Sequence, residues 1–133
     1  MKQTELMIGD WVLVPKLIDE VEDIKGHFQI RQLRDCDLDV FGFKELKYNE
    51  VKPIPITTEI LERNGFKIIL AEDINFYRAE YKDNDNRGIY YFESKLMAIG
   101  NYKTNNRAEI HCEYVHELQN ALRLCGIKKE MEL

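Results

Sequence analysis

The chain has 133 residues, 44% of them hydrophobic and 11% aromatic, with seven Gly and three Pro. That is enough for one ordinary domain or two small ones, and too apolar for a disordered or low-complexity chain. The formal net charge of −5 is spread evenly, with 8 Lys/Arg against 11 Asp/Glu in residues 1–52 and 11 against 13 in residues 53–133. Neither half is a basic arm or an acidic tail, and the balance works against a binder that depends on nonspecific attraction to phosphate.

Cys36, Cys112 and Cys125 are odd in number and contain no CxxC pair, which points away from a disulfide framework and a Cys-based zinc site. The opening Met-Lys-Gln-Thr-Glu-Leu lacks the apolar run of a signal peptide, and no segment approaches transmembrane length. A cytoplasmic protein without a membrane partner is expected.

The first 52 residues read as short strands. Gly9-Asp10 is a turn signal leading into Trp11-Val12-Leu13-Val14, capped by Pro15. His27 to Leu33 alternates, with Phe28 and Ile30 separated by polar residues. Asp35 to Val40 alternates strictly, placing Cys36, Leu38 and Val40 on one face and three Asp on the other. A last strand is expected from Val51 through Ile54. Four or five short strands in about fifty residues must curl to bury a core, so residues 1–52 are expected to form a small SH3-like β-barrel.

At Pro53-Ile54-Pro55-Ile56-Thr57 the pattern changes. Thr57 is a good N-cap, Glu59 sits in the first turn, and Gly65 then Phe66 suit a Schellman ending, so a helix is expected over 57–64. Period two follows through Tyr77, Ala79 and Tyr81. Asp83 to Gly88 reads as a hairpin loop and Asn101 to Asn106 as a second polar turn, so the strands fall within 67–114. Ile110, Cys112 and Tyr114 are expected to share the inward face of the last strand. Val115, Leu118, Leu122 and Cys125 recur at helical spacing before Gly126, giving a helix over 115–125. The expected fold is therefore α+β: an SH3-like barrel over 1–52 packed on a helix, antiparallel meander and helix over 53–133.

No catalytic or metal signature meets its spacing. Asp35, Asp37 and Asp39 open like a calcium loop, yet Val40 stands where the turn needs Gly and Leu46 where it needs Glu. His111 and His116 are five apart, not the four that puts two imidazoles on one helical face. Asp73, Glu80 and Lys82 match a D…E-x-K nuclease pattern, but Asp73 and Glu80 are only seven apart and not on neighbouring strands. Cys112 reads as a buried thiol rather than a nucleophile. No cofactor is expected.

The aromatic strands are the better place to look. Tyr90, Tyr91 and Phe92 are consecutive, so aromatics must stand on both sheet faces, and helices cover only one. Phe76, Tyr90 and Phe92 beside Arg78 and Lys82, together with Trp11 in the first module, form the candidate partner-binding set. Aromatic plus Arg is the composition of protein interfaces and of single-strand nucleic-acid platforms.

The runs Ile8-Gly9-Asp10-Trp11-Val12, Val51-Lys52-Pro53-Ile54-Pro55-Ile56-Thr57 and Tyr114-Val115-His116-Glu117-Leu118-Gln119-Asn120 carry a resemblance. In them the chain resembles a set of small proteins of Bacteroides-group gut bacteria, their mobile elements and their phages. The likeness spans both ends and the junction, and implies a phage or mobile-element context but no activity or cofactor. The leading expectation is a non-catalytic binding or adaptor protein with a protein partner. A nucleic-acid-associated protein using the barrel or the exposed sheet face is the alternative, with weak affinity expected, and a small metal-dependent nuclease comes third.

Overall fold

The structure, a computed structural model, describes residues 1–18, 26–71, 76–82, 87–101, 106–124, 126–127 and 129–133, and at residues 70, 71, 76, 77, 87, 101, 106 and 107 only the backbone. It is α+β, with two antiparallel sheets and two α-helices among the described residues. The chain forms two compact units, Met1–Pro55 with Tyr114–His116 and Ile56–Glu113 with Glu117–Leu133.

The first unit is a meander of β1 (Trp11–Leu13), β2 (His27–Leu33), β3 (Asp37–Val40) and β4 (Phe43–Lys47), hydrogen-bonded in that order. Alternation puts Phe28, Ile30, Leu38, Val40 and Leu46 inward, where they join Leu6, Val12, Val14, Leu17 and Val51 in one core. The expected last strand is a single bridge. Leu13 exchanges hydrogen bonds with Lys52 at 2.9 and 2.8 Å. Pairing stops there because Pro53 and Pro55 lack amide donors and a 3-10 turn over Tyr48–Glu50 precedes. The sheet is thus open among the described residues, not the closed barrel that strand counting suggests. Ile54 and Pro55 pair instead with the 114–115 backbone, through the Pro55–Tyr114 bridge and the Val115 amide on the Ile54 carbonyl at 2.9 Å.

Two bulges interrupt the alternation. The β2–β3 register slips between Ile30 and Gln32, leaving Arg31 as the extra residue. The β3–β4 register slips between Leu38 and Val40, opposite Glu45, whose φ is +57°. Asp39 holds this second bulge, accepting the Glu45 amide at 2.9 Å and binding both terminal nitrogens of Arg34 at 3.1 and 2.5 Å. Asp37 takes Arg34 Nε. Two of the three aspartates that resemble a calcium loop, Asp37 and Asp39, are thus a clamp on Arg34. Cys36, expected beside Leu38 and Val40, is exposed, because β3 begins only at Asp37 and residues 35–36 bend.

The Arg34 hydrogen bond, with the Glu45 amide behind it, holds the Asp39 carboxyl down to about 2 from an ordinary 3.8. A carboxyl depressed by folding contributes stability that is fully present above its unfolded value and disappears as pH falls through the folded one. The urea midpoint of Asp39→Asn should therefore lie below that of the native chain above pH 4, with the gap closing toward pH 2. A gap constant across that range would remove the clamp from the account.

In the second unit, α1 (Thr58–Arg63) is set by local chemistry. Thr57 Oγ1 accepts the Ile60 amide at 3.2 Å. At the other end Gly65 (φ +85°) donates to Glu62 and Phe66 donates to Leu61, at 3.1 and 3.0 Å, the two bonds of a Schellman ending. The end of α2 (Val115–Leu124) repeats this with Gly126 (φ +71°) on Arg123 and Ile127 on Leu122, at 3.1 and 2.9 Å. Only a residue tolerant of left-handed backbone suits either position.

Between the helices runs a five-stranded meander of β5 (Lys67–Ala71), β6 (Phe76–Lys82), β7 (Arg87–Phe92), β8 (Leu96–Asn101) and β9 (Asn106–His111). Directly opposed residues share a face, so Ala79, Tyr91, Met97 and Ile110 form one row and Tyr81, Ile89, Ile99 and Ala108 the next. That face is the inner one. Ala79, Ile89, Tyr91, Met97 and Ile99 are buried, and the Phe66 ring lies 5.3 Å from that of Tyr81. Ile110, expected in the core, shares the face but is 45% exposed, because β9 is an edge strand. Cys112 is buried as expected, its carbonyl accepting the Tyr91 hydroxyl at 2.9 Å.

Candidate functional site

The register of the second sheet gathers part of the candidate set. Ile69, Arg78 and Phe92 form one row, Lys67, Glu80, Tyr90, Ala98 and Glu109 another, and Lys82 stands opposite Gly88. Arg78, Lys82, Tyr90 and Phe92 therefore share the face opposite the buried row. Phe76 pairs through its backbone with Ala71, and its side chain lies outside the described ones. Tyr90 and Phe92 are half-buried and Lys82 is exposed.

Arg78 is already committed on this face. Its guanidinium binds Glu80 at 2.8 Å and lies over the Tyr90 ring at 5.1 Å. A phosphate would have to displace a carboxylate already in place, which weakens the nucleic-acid reading of this surface.

Trp11 sits in the first unit, on a better-formed feature. Trp11, His27, Phe28, Gln29, Arg31 and Phe41 line a groove of about 340 Å³. The order of strands explains it. Trp11 faces Gln29 across β1–β2 and His27 faces Leu13, so these side chains stand opposite the core residues Phe28 and Ile30. The bulge at Arg31 turns its guanidinium over the ring of Phe41, 5.3 Å from the centroid. Phe41 occupies the tight Phe41-Gly42 turn between β3 and β4, where its amide donates to the Gln29 carbonyl at 3.0 Å. A 66% exposed phenylalanine at this turn presents an apolar wall to the groove. Phe28, whose side chain faces the core, makes an edge-to-face contact there with Phe43 at 5.4 Å.

Of the six described groove residues, the sequence names only Trp11 as a binding candidate. Arg31 and Gln29 had a signal in the alternation of β2 opposite Phe28 and Ile30. Phe41 had one as an aromatic beside a turn glycine.

Asp73 lies outside the described residues, and Glu80 is paired with Arg78. His111 lies 3.4 Å from Glu113, whose carboxyl is held below its usual range first by Lys95 at 3.3 Å and then by His111. His116 stacks on Tyr114 with ring centroids 6.0 Å apart. Among the described residues no three His, Cys, Asp or Glu side chains are grouped so as to hold a metal ion. No described helix is long and apolar enough to cross a membrane. No protein-family model, curated protein or solved structure matches the chain.

Proposed function

We propose that this chain is a non-catalytic binding protein, an adaptor of the cytoplasm, that seats a segment of a protein partner in the Trp11–Phe41 groove. The observation that carries this reading is Phe41, a large apolar side chain left exposed at a turn, with Arg31 over its ring and its backbone amide on Gln29. Aromatic and Arg side chains dominate the energetics of protein interfaces, and a groove of about 340 Å³ is within the range that takes a few residues' side chains. We read the first unit as an opened SH3-like arrangement, with the Leu13–Lys52 bridge as the beginning of closure. The phage or mobile-element context implied by the resemblance belongs to the same proposal.

Photo-cross-linking tests it. A benzophenone amino acid in place of Phe41 should capture a protein in the producing cell, and the same group in place of Ile110 should not. Cross-links to nucleic acid alone, or equal capture from both positions, would refute the reading. For nucleic acid, a chain of net charge −5 should bind duplex DNA weakly at physiological salt. Submicromolar affinity with a steep salt slope, lost in Arg78→Ala, would move the function to the second sheet.

A further inference from the structure

The groove also has a charge. Among the described residues its lining carries the guanidinium of Arg31 and the imidazole of His27, the amide of Gln29, and no carboxylate. Lys52 stands on the same sheet face, opposite Leu13, which in turn is opposite His27. The guanidinium carbon of Arg31 lies over the Phe41 ring, 5.3 Å from its centroid, and among the described residues no carboxylate is paired with it. A guanidinium over an aromatic ring still has N–H donors in its own plane, where a carboxylate is bound in two places.

We infer that the groove recognises an acidic peptide segment, in which an aromatic or large aliphatic side chain fills the space between Trp11 and Phe41 and a neighbouring Asp or Glu binds the edge of Arg31. This rests on the binding reading above and adds the chemistry of the partner. A peptide fits better than a nucleic-acid strand because the groove offers one permanent cation. With Lys52 on the same sheet face it can neutralise one or two carboxylates, whereas each further nucleotide adds a phosphate to a chain of net charge −5. The apolar side chain supplies affinity and the carboxylate supplies register and selectivity.

The test uses the full chain. Random peptides are selected on it by display, and enriched peptides are then titrated while the emission of Trp11, the single Trp, is followed. The expected enrichment is a large apolar residue next to Asp or Glu. Phe41→Ala should abolish the emission change. Arg31→Gln should weaken an acidic peptide roughly five- to tenfold, while leaving its Asn- or Gln-substituted counterpart unchanged. Enrichment of apolar peptides without acid preference, with Phe41→Ala still blocking them, would overturn the acidic inference and leave the groove as a binding site. Failure to recover any Phe41-dependent peptide would overturn both. An unstructured oligonucleotide that shifts Trp11 emission at lower concentration than every peptide would replace the peptide with nucleic acid.

Discussion

Asn64→Asp should destabilise the protein by about 3–5 kcal/mol at neutral pH, a large effect for the exchange of one NH₂ for one oxygen. Asn64 is 0% exposed and ends α1. Its Nδ2 donates to the carbonyls of Ile60 and Glu132, at 2.8 and 2.7 Å, and its Oδ1 accepts the Glu132 amide at 2.6 Å. The side chain thus acts as a short strand for the C-terminal tail, next to the buried Met131. In the variant an oxygen replaces the nitrogen and faces two carbonyls. The ionised form is buried against acceptors, and the protonated form has one O–H for two carbonyls. The folded state would therefore raise the new carboxyl's pKa, and the stability deficit should shrink as pH falls below that raised value. Asn64→Leu should cost less, about 2–3 kcal/mol, with no such pH dependence. Urea unfolding at pH 4 and pH 7, with hydrogen exchange at the Glu132 amide, measures both. A deficit under about 1 kcal/mol for Asn64→Asp would mean that the tail is not held by these bonds. The position is also chemically exposed to this very change. Asn64 precedes Gly65, and in an unfolded chain the unhindered glycine amide attacks such a side chain with loss of ammonia. Folding ties up both groups, since the Gly65 amide donates to Glu62.

What the sequence made legible was what is fixed within a few residues. The caps of α1 and the ending of α2 are written in Thr57, Gly65, Phe66, Gly126 and Ile127, and the hydrogen bonds follow them one by one. Alternation likewise found Phe28, Ile30, Leu38 and Val40 as core. A period of two cannot see an inserted residue, however. The bulges at Arg31 and opposite Glu45 therefore passed unnoticed, and with them the Arg31–Phe41 stack and the role of Asp39. Nor can it see where a sheet ends. Ile110 lies on the predicted face yet is open to solvent, because among the described residues no strand continues beyond β9 in the sheet. The groove draws on β1, β2 and a turn, which only the registers Trp11–Gln29 and Ile30–Val40 bring together.

Ile30→Ala should cost about 3–4 kcal/mol, and Phe41→Ala, eleven residues on and at the groove, under about 0.5 kcal/mol. Ile30 is 0% exposed, faces Val40 across the sheet, and sits in the core of the first unit. Its backbone is equally tied, with the amide on Asp10 at 2.9 Å and the carbonyl accepting Gly9 at 2.8 Å. Truncation to Ala removes buried apolar area and leaves a cavity that this tied backbone cannot collapse to fill. Ile30 is also the residue before the bulge, so loosening it should release Arg31 from Phe41 as well as weaken the core. Ile30→Val, which removes one methylene, should cost about 1 kcal/mol and keep the groove intact. Chemical unfolding followed by Trp11 emission ranks the three variants. The separation matters for function: a residue that carries binding but not stability belongs to a site, whereas one that carries both belongs to the frame. Comparable losses in Ile30→Ala and Phe41→Ala would place Phe41 in the frame, and the groove would then be a seam in the fold rather than a seat for a partner.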